Sequence, residues 1–151
     1  MIDAIELAKR FEGLHRVGKD GLVYPYLCPA GFPTIGYGRL VKDMSHPPIS
    51  VNTAELWLVQ DMEKAVSATI RLCPVLAFHE NKLAAVADFV YNLGAGRLQS
   101  STLRRRINQS DWNESVNELK RWVYGGGKVL PGLVKRRAAE IELFQRGELA
   151  L

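Results

Sequence analysis

The chain has 151 residues, 47% hydrophobic and 24% charged, a composition suited to one globular domain that buries a core without disulfides or metals. Two cysteines and three scattered histidines make neither a disulfide framework nor a zinc cluster, so no metal and no cofactor is expected. The formal charge of +4 favours anionic partners without choosing among them, and no apolar run reaches the roughly 18 residues a membrane helix needs.

Residues 2–12 read as a first helix. Ile2, Ile5, Leu7, Ala8 and Phe11 form its apolar stripe, Asp3 and Glu6 sit in its first turn, and Gly13 stops it. Glu12 therefore lies at a helix C-terminus, where the dipole disfavours negative charge, a setting that suits a general acid. The acidic residues near Met1 stand where a secretory leader would be basic, so the chain is expected to be made and kept in the cytoplasm.

From 14 to 41 the pattern is strand-like and broken by turns. Lys19-Asp20-Gly21 signals a hairpin flanked by strands 14–17 and 22–26, and a third strand is expected over Thr34–Val41. His46-Pro47-Pro48 is a connection. A long helix follows, started by a capping box at Asn52 and Glu55 and ending before Pro74. Its expected inward face is Leu56, Val59, Met62, Val66, Thr69 and Ile70.

Glu80–Asn92 is a second strong helix, with Leu83, Ala84, Ala87 and Val90 inward and Gly94 as a stop. Helices near 100–108 and 111–121 take Ser100 or Ser101 and Ser110 as N-caps, and Gly125-Gly126-Gly127 is a loop. Leu133–Gln145 is the last helix, with Gly147 beyond its end.

The basic runs Arg104–Arg106 and Lys135–Arg137 read as solvated helix faces rather than nucleic-acid contacts, since consecutive helical residues point in different directions. Gly125–Lys128 lacks the spacing of a phosphate loop. Trp57, Trp112 and Trp122 read as core anchors, Cys73 as a small buried hydrophobe, and His15, His46 and His79 as ordinary histidines.

One set of segments is more specific. Phe11-Glu12-Gly13-Leu14, Tyr26–Gly31 and Thr34-Ile35-Gly36-Tyr37-Gly38 resemble the phage-type lysozymes, glycoside hydrolase family 24. The resemblance continues in order through Phe89–Gly94, Ser101–Leu103, Arg121–Val123 and Gly126–Arg137, and so covers nearly the whole chain. It implies an α+β, lysozyme-like single domain over 1–151. A small antiparallel sheet lobe, about 13–50, and a larger helical lobe, about 52–151 with helix 2–12, are joined by the long helix with a cleft between them.

The resemblance also implies roles. Glu12 matches the glutamate that protonates the leaving glycosidic oxygen. Cys28 and Thr34, six positions apart, match the pair that holds the attacking water. Tyr91, Asn92 and Thr102 match substrate contacts, with the Gly125–Lys128 loop lining the same groove. The interval from Glu12 to Cys28 is longer than the family's, with the extra residues around Val17–Val23, an insertion at a hairpin tip. Asp20 is the rival for the second position, although turn chemistry explains it. Arg39 is expected to pair with Asp61 across the lobes.

The implied activity is inverting hydrolysis of the β-1,4 bond between N-acetylmuramic acid and N-acetylglucosamine in peptidoglycan. The protein would be a monomeric phage or prophage endolysin acting in host lysis. It would bind the glycan strand and neither nucleic acid nor membrane, and would reach the wall or periplasm through a membrane pore. A lytic transglycosylase on the same bond and an inactive wall-binding protein are the alternatives.

Overall fold

Gly13 ends the first helix by adopting a left-handed conformation. In the computed structural model, which describes residues 1–147, α1 spans Ile2–Glu12, and Gly13 (φ +67°) donates its N–H to the Lys9 carbonyl at 3.0 Å. Ala4 and Ala8, one turn apart, are both fully buried. The chain divides into two compact units, residues 8–61 and residues 1–7 with 62–151. Residues 148–151, part of the expected helical lobe, lie outside the described residues.

The first unit holds a three-stranded antiparallel sheet of β1 (Tyr26–Leu27), β2 (Pro33–Ile35) and β3 (Arg39–Leu40), in that order. The expected strand over Thr34–Val41 is thus two strands. Gly36 (φ +65°) and Gly38 (φ +103°) turn the chain between them, in conformations that a side chain resists. The turn at Lys19–Gly21 forms, but its flanking strands reduce to single bridges: Val17 pairs with Val23, and Val23 also pairs with Ile49. Val23, Ile35, Ile49 and Ala54 form this unit's core, with Leu14, Tyr37, Val41, Val51 and Trp57 packed around it.

The long helix α2 runs Val51–Leu72. Its cap is Ser50, whose Oγ accepts the Thr53 N–H at 3.0 Å, so the cap lies two residues before the expected one at Asn52. The buried stripe is Ala54, Leu58, Met62, Ala65, Thr69 and Leu72. Of the expected face only Met62 and Thr69 belong to it, and Leu56 is 55% exposed. Leu58 and Leu72 are buried as well as the two alanines, so the true face is turned by part of a helical turn from the expected one.

In the second unit a 3₁₀ turn at Pro74–Phe78 leads to α3 (Glu80–Leu93), whose residues Ala84–Val90 are buried on every side. Gly94 (φ +92°) ends it, and an unforeseen short helix, α4 (Ala95–Gln99), follows at once. The Ser101 Oγ caps α5 (Thr102–Asn108). Asp111 caps α6 (Trp112–Leu119) in place of Ser110, which is left-handed (φ +55°). The glycine loop is the tip of a hairpin, β4 (Tyr124–Gly125) to β5 (Lys128–Val129), with Gly126 and Gly127 both at positive φ. Helix α7 (Pro131–Gln145) carries proline in its first turn and packs against α3, as α5 does against α6.

The run Lys135–Arg137 is not a solvated face. Only Lys135 is exposed; Arg136 and Arg137 are 3% and 1% exposed. Arg136 holds Asp88 on α3 through two bonds of 2.8 and 2.9 Å, and Arg137 holds Glu140 one turn on at 2.9 Å. Burial, the largest influence on both carboxyls, pushes each up. At Asp88 the bonds from Arg136 and Glu140 outweigh it and hold the acid below its ordinary value. Glu140, beside Asp88, stays well above its own. Glu140 therefore holds a proton more readily than its neighbour Asp88.

Removing one partner from a buried pair strands the other's charge. Asp88→Ala should cost about 3–5 kcal/mol in urea unfolding, whereas Lys135→Ala should change stability by no more than about 0.5 kcal/mol.

Candidate active site

The loop from β1 to β2 sets the site. Gly31 (φ +86°) donates its N–H to the Cys28 carbonyl at 2.7 Å, and Cys28 donates to the Phe32 carbonyl at 3.0 Å, closing a tight hairpin. Tyr26 stands opposite Thr34 in the register. Alternation along a strand then puts Tyr26, Cys28 and Thr34 on one face of the sheet. Thr34 is 1% exposed, while Cys28 is partly open.

Glu12 meets this sheet at the β2–β3 turn. A Cβ built on Gly38 would stand 3.0 Å from Glu12 Oε1 and 3.4 Å from its Cδ, so the carboxyl rests on the bare glycine backbone. The Tyr26 hydroxyl is pushed up to about 12, first by burial and then by the charges of Glu12 and Cys28. Glu12, Cys28 and Thr34 are thus gathered around one tyrosine, all within residues 8–61.

Two neighbours in this cluster were not singled out from the sequence. Tyr26 is one; its place two residues before Cys28, on the same strand face, was the available signal. His15 is the other, an exposed side chain just past the helix end. Its Nε2–H donates to the Glu12 carbonyl at 2.7 Å, and its ring lies 4.6 Å from that of Tyr26. A histidine three residues beyond a helix end is well placed to satisfy a last-turn carbonyl.

Cys28 and Cys73 differ in kind. Burial is the largest influence on the Cys28 thiol and raises it. The Phe32 and Ala30 backbone N–H groups, the Thr34 hydroxyl and the Gly31 N–H together outweigh burial and draw the thiol below its ordinary value. Thr34 has a single hydroxyl proton, aimed at the Phe32 carbonyl at 2.9 Å, and the Cys28 sulfur is its second claimant. Cys73, fully buried, is pushed up to about 11 by desolvation.

Asp20 is occupied by its own turn. It accepts the Leu22 N–H at 3.0 Å and the Tyr24 hydroxyl, and these two bonds, Tyr24's first, hold its carboxyl below the usual range. Arg39 does pair with Asp61, through Nε at 3.0 Å and Nη2 at 2.9 Å, with its guanidinium 4.3 Å over the Trp57 ring. Both residues belong to the unit 8–61, so this bond lies within one unit and not across two.

The expected substrate contacts Tyr91, Asn92 and Thr102 belong to the other unit. Thr102 lines a cavity of about 450 Å³ with Arg97, Ser100, Ser101, Trp122 and Tyr124. Asn92 Oδ1 accepts a bond of 2.8 Å from Arg137. Among the described residues no group of three or more His, Cys, Asp and Glu side chains could hold a metal ion.

Residues 9–140 match the family model described as phage lysozyme. The endolysin of Bacillus phage B103 is 38% identical over 146 residues, covering 95% of this chain and 53% of that protein. The SAR-endolysin of Bacteriophage PS34 is 35% identical over 133 residues, covering 87% of this chain and 79% of its own. Among solved structures, the muramidase domain of SpmX from Asticaccaulis excentricus superposes with a TM-score of 0.75 at 28% identity, covering 93% of each chain. The chain thus spans about half the length of the B103 protein.

Alkylation by iodoacetamide across a pH series reads the thiolate directly. Cys28 should react with a midpoint below that of the unfolded chain's thiol, and Thr34→Val should move that midpoint up. Cys73 should stay unmodified in the folded protein.

Proposed function

Because the chain belongs to the phage lysozyme family, we propose that it is a muramidase that cuts the β-1,4 bond between N-acetylmuramic acid and N-acetylglucosamine in peptidoglycan during host lysis. The observation that carries this reading is the convergence of Glu12, Cys28 and Thr34 around Tyr26.

Glu12 gives its proton to the glycosidic oxygen as the bond from C1 to that oxygen breaks. A water on the opposite face of the sugar, held by the Thr34 hydroxyl and the Cys28 sulfur, attacks C1 and loses its proton to the thiolate. Configuration at C1 inverts. A thiol drawn toward its ionised form can take that proton, which supports hydrolysis over the transglycosylase alternative, where no base for water is needed. Asp20, committed to Leu22 and Tyr24, is not the base.

Tyr91, Asn92 and Thr102 contact the glycan strand, and residues 1–151 act as one lysozyme-like domain and as a monomer. No helix among the described residues is long and apolar enough to cross a membrane. The protein is made in the host cytoplasm, does not insert stably in the membrane, and reaches the wall through a pore.

Wall clearing and reducing-end release test the assignment. Glu12→Gln should lower kcat by at least about a hundredfold, the size of a lost general acid, while Asp20→Asn should keep wild-type kcat. An anhydro product in mass spectra of the digest would replace hydrolysis with transglycosylation. Because the thiolate is the working form, kcat/KM should rise as pH rises through the lowered Cys28 value. Cys28→Asp should move that limb to the acid side.

A further inference from the structure

Around Glu12 and Cys28 most hydrogen-bond donors are already spent. The His15 Nε2–H goes to the Glu12 carbonyl at 2.7 Å, and the Thr34 hydroxyl proton goes to the Phe32 carbonyl at 2.9 Å. The backbone N–H groups of the β1–β2 loop turn toward the Cys28 sulfur. Tyr24 gives its phenol proton to Asp20. The Tyr26 hydroxyl, by contrast, meets no hydrogen-bond acceptor among the described residues. Its ring is half-buried, lies 4.6 Å from that of His15 and stands opposite Thr34 in the register. The charges of Glu12 and Cys28 both act on its oxygen, and with burial they push it up to about 12. At neutral pH it therefore keeps its proton and has nothing in the protein to give it to.

We propose that Tyr26 is a further catalytic residue, whose hydroxyl donates a hydrogen bond to the attacking water and so aims that water's free lone pair at C1. A water has two protons and two lone pairs to place. In the muramidase reading, on which this inference rests, one proton goes to the Cys28 thiolate. Thr34 has no proton left to give, so it accepts the water's second proton through a lone pair. One lone pair of the water forms the bond to C1, and the other needs a donor. Tyr26, on the same sheet face as Cys28 and Thr34, supplies it. A water held on three sides has one direction left, that of the sugar. As the new bond to C1 forms, the O–H bond facing the thiolate breaks and the sulfur gains its proton. The glycosidic oxygen leaves with the proton of Glu12, and Tyr26 keeps its own throughout.

Tyr26→Phe removes the hydroxyl and keeps the ring that packs on His15. In reducing-end release from peptidoglycan by the full chain, it should lower kcat about tenfold, the loss of about one hydrogen bond to a reacting atom. KM should stay within about twofold of wild type, since no glycan contact is lost. The alkylation midpoint of Cys28, measured without substrate, should not move, because the hydroxyl serves the water and not the sulfur. The urea midpoint should match wild type, because no bond within the protein is broken.

An unchanged kcat overturns the assignment. So does a rise in KM at constant kcat, which would place the hydroxyl on the glycan. An upward shift of the alkylation midpoint overturns it too, by making the hydroxyl a partner of the thiolate. A kcat loss matched by a fall in the urea midpoint does the same, by making it part of the fold. These outcomes leave cleavage by the wild type intact and bear on Tyr26 alone. A wild type that releases no reducing ends brings down the muramidase reading, and this assignment with it.

Discussion

Glu12 and residue 38 compete for one volume, and the sheet unit is arranged around the outcome. A Cβ at 38 would stand 3.0 Å from the carboxyl oxygen and press it aside, and the φ of +103° is one that side chains resist, so glycine suits the position on both counts. The turn at this position is what divides one expected strand into β2 and β3. It sends Arg39 back to meet Asp61 and Trp57 and leaves Thr34 between Tyr26 and Leu40 in the register. The acid is held by backbone shape: a helix that stops at Gly13 presents it, and a turn with no side chain receives it. His15 bonds the last-turn carbonyl and adds its ring against Tyr26, so one side chain ties the helix end to the sheet face.

The helical unit solves a different problem, that of burying charge. Two arginines and two carboxyls sit in the contact between α3 and α7, where apolar residues would pack more cheaply. Ion pairs of this kind specify direction. Arg136 meets Asp88 through two parallel bonds, and Arg137 spends its fork on Glu140 and Asn92. The cluster therefore fixes the rotation of α7 against α3 as well as their adhesion.

Much of this was legible in the residues because it rests on local rules. The bounds of α1 follow from its stripe and Gly13; the end of α3 follows from Gly94; the start of α7 follows from Pro131. The turn that occupies Asp20 was readable from Lys19-Asp20-Gly21. What was not legible depends on partners far away in the chain. Nothing near Arg136 announces Asp88, 48 positions earlier, so the basic run read as solvated. Strands of two or three residues carry no alternation to detect, which is why Thr34–Val41 read as one strand. The face of α2 was misjudged by part of a turn, since Ala54, Leu58, Ala65 and Leu72 are buried while Leu56 is exposed.

The added residues between Glu12 and Cys28 have a consequence for how this chain tolerates change. Val23 is clamped between Val17 and Ile49, and Asp20 satisfies its own turn through Leu22 and Tyr24. The tip beyond Val17 and before Val23 is therefore mechanically insulated: its bonds close on themselves, and the strand that leads to Cys28 starts after the clamp. Gly21, at φ +77°, has open space where a side chain would stand. A peptide tag, a fluorophore or a second binding module joined there would be carried by the protein as cargo, with the sheet that leads to Cys28 and Thr34 left in register.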